Sequence, residues 1–287
     1  MSGRIGFAGL GQMGHPMAAN IAAGGADLTV FDKAGTTERA PDGAKCAASL
    51  EDLARTAETL FLSLPDGAVS LAVARELADM SDIATKLVID LSTIGPEAAR
   101  DANTILHGAG IGYADAPVSG GAVGAKAGTI TIMWAGSGTE MERHRDVLDS
   151  FSKNLFHVGD QPGQGQALKI LNNFLSATAM AATSEAVLYG LSQGLEMKTL
   201  LDVVNASTGQ NTATRDKFPD RVLTGTFDAG FKTALLAKDV RLYLENAKNA
   251  HMPDGIGSLV SETWNQCDEA LPGSDFTRIY EFIRDRS

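Results

Sequence analysis

Residues 4–14 read Arg-Ile-Gly-Phe-Ala-Gly-Leu-Gly-Gln-Met-Gly, a short apolar run followed by Gly9-x-Gly11-x-x-Gly14 and a helical pattern over Met13 to Ala23. In that setting the first glycine permits a tight turn, the second lets the backbone approach a pyrophosphate, and the third lets helix and strand pack closely. The helix start adds free N–H groups and the positive end of a dipole. The next apolar run, Leu28-Thr-Val-Phe-Asp32, ends on a carboxylate 18 residues after Gly14. Such a group accepts hydrogen bonds from a ribose 2′-OH and repels a 2′-phosphate, which favours NAD over NADP, although Lys33 weighs the other way. Gly9, Leu10, Gly11, Gln12, Met13, Gly14, Phe31, Asp32 and Lys33 are therefore the candidate cofactor residues. Alone, the turn would equally serve a plain strand-to-helix connection or the adenosyl sulfonium of a methyltransferase.

The alternation continues outward. Apolar runs at 59–64 and 87–92 read as strands buried on both faces. Helical patterns lie between them: Ser49 to Ala57 with Ser49 as N-cap, Asp66 to Met80, and Pro96 to Gly108 with Pro96 at the start. This rhythm predicts an α/β fold with a parallel, doubly wound sheet, extended by runs at 111–118, 129–134 and 155–158. After Gly159 the strand signal stops. Residues 163–190 read as one helix of roughly 40 Å, with small and aliphatic residues recurring at Leu168, Leu171, Leu175, Ala179, Ala182 and Ala186. A spine between domains, surrounded by protein, is expected. Further helical periods at 195–205, 232–249 and 255–271 make the second half all-helical. The expected domains are 1–160 and 161–287.

Composition narrows the function. Lys plus Arg number 24 against 35 Asp plus Glu, a net charge of −11, so neither a nucleic acid nor an anionic membrane surface is an expected partner. Two cysteines and five histidines show no ligand spacing, and no metal is expected. Cys46 and Cys267 should be reduced and packed. The chain enters its first strand without a signal-peptide pattern, which points to the cytoplasm. The 31 glycines, against 6% aromatics, exceed the usual share of about 7% and call for close backbone approach somewhere.

Two further segments carry chemistry. In Asp115-Ala-Pro-Val-Ser-Gly-Gly121, the Ser119-Gly120-Gly121 turn can present successive N–H groups and a hydroxyl to a carboxylate, or can simply end a strand. In Gly163-x-Gly165-x-x-x-Lys169-x-x-x-Asn173, the last two residues lie about 40° apart on one helix face, and the glycines leave room for something to approach. A lysine on a helix is usually solvated, but here it opens an apolar stretch. Partial desolvation beside a cationic ring would bring it toward neutrality, as a general acid/base requires. Lys238-Asp239 also reads as a structural ion pair.

Together, GLGQMGHPMAAN (9–20), DAPVSGG (115–121), GQGQALKILNN (163–173) and GFKTALLAKDV (230–240) resemble the β-hydroxyacid dehydrogenase family across essentially the whole chain. The resemblance implies a Rossmann-type domain joined by a long helix to a helical domain, an NAD or NADP cofactor without metal, and a homodimer or homotetramer. It implies that Lys169 is catalytic and Asn173 orients the substrate. Ser119, Gly120 and Gly121 would cradle its carboxylate, with Phe231 alongside. Leu64, Pro65, Thr93 and Lys238 would contact the cofactor, and Asp239 would fix local geometry. The expected reaction is hydride transfer between a nicotinamide and a small anionic 3-hydroxy acid or its semialdehyde. Imine reduction and a non-catalytic nucleotide-sensing or scaffold role are alternatives, and retention of Lys169 argues against both. One departure stands out: Thr212 replaces a tryptophan typical of the family's 3-hydroxyisobutyrate dehydrogenases. That change suggests a more polar or larger substrate, and Lys232 after Phe231 suggests one with a second anionic group.

Overall fold

The computed structural model describes residues 3–286. It divides into two compact units, the first running through Lys169 and the second beginning at Ile170. The first unit carries β1 (Ile5–Ala8), α1 (Gly14–Ala23), β2 (Leu28–Phe31), β3 (Lys45–Cys46), α2 (Leu50–Thr56), β4 (Thr59–Leu62), α3 (Gly67–Asp79), β5 (Leu87–Asp90) and α4 (Pro96–Gly108). It continues with β6 (Gly112–Asp115), β7 (Val118–Ser119), α5 (Gly121–Ala127), β8 (Ile130–Ala135), α6 (Gly138–Arg143), α7 (Arg145–Phe151) and β9 (Ser152–Gly159).

The sheet order is β3-β2-β1-β4-β5-β6-β8-β7, with β9 beside β8. β1 through β6 pair in parallel, as expected from the alternation, and the chain crosses from one side of β1 to the other between β2 and β4. Beyond β6 the expected parallel order changes: β8 runs antiparallel to β6 and β7, then pairs in parallel with β9. The central strands β1, β4 and β5 are buried at every residue. Their period of two sends Phe7, Phe61 and Ile89 into one core layer and Leu60, Leu62 and Val88 into the other. Ser49 caps α2 by accepting from Asp52 N, and Asp66 does the same for α3 through Val69 N. The edge strand β3 escaped sequence reading because two residues carry no period. Its Cys46 is exposed rather than packed, whereas Cys267 is buried as expected.

The second unit holds most of α8 (Gln164–Ser192), then α9 (Met197–Asn205), a π-helical segment (Ala213–Val222), α10 (Thr233–Asn249), α11 (Gly255–Ala270), a 3-10 turn (Phe276–Arg278) and α12 (Ile279–Arg284). Ala177, Met180 and Val187 of α8 pack with Val240, Val260, Trp264 and Phe276. Trp264 Nε1 donates to Ala177 O at 3.2 Å. The π segment has no simple sequence period because it contains Pro219, and Asn211 Oδ1 accepts from Ala213 N and Thr214 N at its start.

The expectation that α8 is enclosed on all sides is corrected. Leu168, Leu171, Leu175 and Tyr189 are exposed, Tyr189 at 70%. The face turned into protein instead carries Gln166, Lys169, Asn173, Ala177, Met180, Ser184 and Val187. An all-round apolar helix does not say which side is covered, and here polar side chains point inward while leucines point out.

Candidate active site

The candidate cofactor residues of the first unit gather at the carboxyl ends of β1, β2, β4 and β5, at the point where the strand order reverses, while Lys238 lies on α10 of the second unit. That is where open α/β sheets bind ligands. Gly9 has φ +95°, and a Cβ there would lie 2.2 Å from Ser63 O, in the loop after β4. A Cβ on Gly14 would lie 1.8 Å from Gly9 O. These two glycines serve the fold. Gly11 differs: nothing lies within 4 Å of its Cβ position, so its surroundings are open. Asp32 steadies the turn by accepting from Leu10 N at 2.7 Å and from Ala34 N at 2.8 Å. Gln12 and Lys33 are exposed, Leu10 is buried, and Met13 and Phe31 are partly buried.

Sequence reasoning passed over Arg39, whose Nη1 stands 3.9 Å from Asp32 Oδ2. No motif marks it, because the irregular stretch after β2 alone brings it back. Leu64 N donates to Ser92 Oγ at 2.8 Å, which joins the loops after β4 and β5. Pro65 is exposed and Thr93 partly buried. Ser119 ends β7, Gly120 has φ +132° against Ile130, and Gly121 has φ +63° with open space around it.

Lys169 is buried, at 8% exposure, and Asn173 follows one turn later on the same helix at 7%. Asn173 Nδ2 donates to Asp239 Oδ2 at 2.6 Å, which fixes which end of the amide is the donor. Lys238 Nζ stands 3.3 Å from Asp239 Oδ1, so the ion pair expected of these neighbours is present. Phe231 is partly buried, with its ring edge-on to Phe276 and its N–H on Asp275 Oδ2. Thr212 and Lys232 are both exposed.

The glycines before Lys169 need a different explanation from the expected one. A Cβ on Gly165 would lie 2.4 Å from Met133 O and 2.9 Å from Asp115 Oδ2, and one on Gly163, at φ +92°, 2.8 Å from Pro96 O. They admit β6, β8 and the start of α4 to the start of α8, not a ligand to Lys169. Asp115 is wholly buried, and desolvation raises its carboxyl from 3.8 to about 6 against the N–H groups of Gly163 and Gln166, which favour the charged form. Desolvation likewise raises Asp90, and it raises Tyr113 well above its ordinary value.

Residues 4–159 match the profile of the NAD binding domain of 6-phosphogluconate dehydrogenase, and residues 163–283 match the NAD-binding profile of NADP-dependent 3-hydroxyisobutyrate dehydrogenase. The chain belongs to the β-hydroxyacid dehydrogenase family. A 3-hydroxyisobutyrate dehydrogenase of Pseudomonas aeruginosa is 36% identical over 98% of both chains. A 2-(hydroxymethyl)glutarate dehydrogenase of Eubacterium barkeri is 34% identical over 87% of this chain and 84% of its own. The solved Mycobacterium tuberculosis 3-hydroxyisobutyrate dehydrogenase with L-serine superposes with a TM-score of 0.91 at 29% identity, covering 99% of this chain and 100% of its own. As a family member, this β-hydroxyacid dehydrogenase is an NAD(P)-dependent oxidoreductase acting on the CH–OH group of a small 3-hydroxy acid. The open surroundings of Gly11 and the carboxylate of Asp32 fit a dinucleotide. Among the described residues, no group of His, Cys, Asp and Glu side chains could hold a metal ion, and no helix is long and apolar enough to cross a membrane.

Proposed function

We propose that Lys169 is the general acid/base of a 3-hydroxy-acid dehydrogenase that prefers NAD. The observation that carries this is a lysine buried to 8% exposure on the inward face of α8, one turn before an asparagine whose amide is held by a buried carboxylate. When bound, the nicotinamide supplies the hydride acceptor for oxidation or the donor for reduction. Gly9 to Gly14 and the start of α1 would hold its pyrophosphate, Phe31, Asp32 and Lys33 would surround the adenosine ribose, and Leu64, Pro65, Thr93 and Lys238 would line the remainder. Ser119, Gly120 and Gly121 would hold the substrate carboxylate through N–H groups and a hydroxyl, with Phe231 contributing an apolar wall. Asn173 would orient the reacting oxygen. Lys169 Nζ then takes the hydroxyl proton during oxidation and returns it during aldehyde reduction.

Family membership sets this reading above the nucleotide-sensing and imine-reducing ones. The finer preferences rest on particular residues. Asp32 supports NAD, while Arg39 beside it keeps NADP within reach. Thr212 and Lys232 support a substrate more polar than hydroxyisobutyrate or one bearing a second carboxylate. The exposed apolar stripe of α8 supports a homodimer or homotetramer.

The test is Lys169→Ala, assayed with a panel of 3-hydroxy acids and semialdehydes and either cofactor. Fold and NADH affinity should persist while kcat falls by about three orders of magnitude or more. Near-wild-type turnover would overturn the assignment of Lys169, and a clear preference for hydroxyisobutyrate would overturn the substrate reading.

A further inference from the structure

Beneath the proposed site lies a hydrogen-bond network that neither the glycine motifs nor the lysine explains. Gln166 is fully buried and sits one turn before Lys169 on α8. Its side chain makes three bonds to one turn after β5: Oε1 accepts from Ile94 N at 2.9 Å and Gly95 N at 3.2 Å, and Nε2 donates to Ser92 O at 2.9 Å. Its own backbone N–H donates to Asp115 Oδ2 at 2.9 Å, and Gly163 N donates to Asp115 Oδ1 at 2.7 Å. A single carboxylate at the end of β6 thus takes two of the free N–H groups at the start of α8, one on each oxygen. Within the same turn, Ser92 N donates to Asp90 Oδ1 at 2.9 Å, while Ser92 Oγ accepts from Leu64 N.

The seat is tight as well as bonded. The Gly165 backbone approaches Met133 O and Asp115 so closely that no side chain fits between them. The loop with Leu64, the turn with Thr93 and the helix with Lys169 are therefore tied by consecutive hydrogen bonds through the side chains of Ser92 and Gln166, while Asp115 ties the same helix start to the end of β6. A core that needed only to be filled would use apolar side chains here. Two buried polar groups, each bonded through both of its terminal atoms, instead fix a register.

We propose that Gln166 and Asp115 are positioning residues: Gln166 locks the start of α8 to the turn at 92–95, Asp115 locks it to the end of β6, and together they set where Lys169 stands relative to the cofactor-contacting loops. This rests on the reading of Lys169 as acid/base and of Leu64 and Thr93 as cofactor contacts. Neither Gln166 nor Asp115 need touch a reacting atom. Their loss lets Lys169 drift, and misplacement on the order of 1 Å costs up to about 100-fold in rate.

The test uses the full chain with Gln166→Met, which keeps length and bulk but loses three bonds. Gln166→Glu retains the acceptor over Ile94 and Gly95, and Asp115→Asn retains one acceptor. Each is compared with wild type by NADH titration, by kcat and KM with the best substrate of the 3-hydroxy-acid panel, and by the isotope effect with that substrate deuterated at the carbinol carbon. Gln166→Met should lower kcat by about 10- to 100-fold, with a smaller change in KM and an isotope effect larger than wild type as hydride transfer becomes limiting. Gln166→Glu should fall between the two, and Asp115→Asn should shift kcat and isotope effect in the same direction. If Gln166→Met fails to fold, Gln166→Glu and Asp115→Asn carry the comparison. Folded variants with wild-type kcat and isotope effect would overturn the proposal, as would activity that drops only with the folded fraction. Lys169→Ala in parallel separates the two claims: if it is inactive while these variants behave as wild type, positioning alone fails, and if it is active, the acid/base reading fails.

Discussion

Gly11 and Gly14 belong to the same six-residue motif, yet the structure gives them opposite burdens, and alanine at each position separates fold from ligand. A Cβ on Gly14 would lie 1.8 Å from Gly9 O, 3.0 Å from Gly9 C and 3.2 Å from Phe7 Cε1. About 1.6 Å of overlap with the carbonyl must then be relieved by backbone, since ordinary contact begins near 3.4 Å. Gly9 cannot give easily, because its N–H is bonded to Phe31 O at 2.9 Å and the loop after β4 walls its other side. Relief must pry the start of α1 from the sheet. Losing the strand-end bond costs about 1 kcal/mol, and disturbing the packing of Met17, Ala18 and Ile21 costs about 1–3 kcal/mol. Better helix propensity returns less than about 1 kcal/mol. Gly14→Ala should therefore lose about 1–4 kcal/mol in urea unfolding followed by far-UV circular dichroism. Gly11→Ala meets nothing within 4 Å. Its stability should stay within about 0.5 kcal/mol of wild type, while its NADH dissociation constant, read by fluorescence titration, rises at least about tenfold. Wild-type NADH affinity in Gly11→Ala, or equal destabilisation of both variants, would refute the division of labour.

Asp32→Ser should raise the NADP-to-NAD ratio of kcat/KM at least about tenfold, with Arg39 left facing the phosphate. An unchanged ratio would mean that the carboxylate does not face the ribose. Asp239→Ala should lower kcat by about 10- to 100-fold by freeing the Asn173 amide, and wild-type kcat in a folded variant would remove Asp239 from the site. Asp115, raised to about 6 by burial, binds its proton more tightly folded than unfolded. Its contribution to stability is thus greatest below about pH 4 and is lost as pH rises through about 6, a change on the order of 3 kcal/mol. Unfolding of Asp115→Asn should lack that part of the decline, and parallel pH profiles of variant and wild type would contradict it. Leu175→Glu, on the exposed side of α8, should shift sedimentation toward a smaller species, and an unchanged profile would leave that stripe outside any interface.

The amino-acid sequence by itself determined the parallel alternation through β6, the glycine turn, the acidic end of β2 and the long helix with Lys169 and Asn173 on one face. Each is a local matter, a period of two or 3.6 residues or a backbone conformation that glycine alone adopts freely, and local patterns are written in consecutive residues. Four motifs in order also sufficed to indicate the family. Tertiary structure alone decided the rest. It brought Arg39 to Asp32 across a stretch without period, set Asn173 against Asp239 over 66 residues of chain, and reversed β8 against β6. It turned the leucines of α8 outward, and it assigned Gly163 and Gly165 to packing on β6, β8 and the start of α4 where sequence had offered them to a ligand. Gln166 shows the reason most plainly. One amide side chain inside a helix has no pattern to betray it, because all three of its partners lie more than 70 residues earlier and meet it only once the sheet has formed.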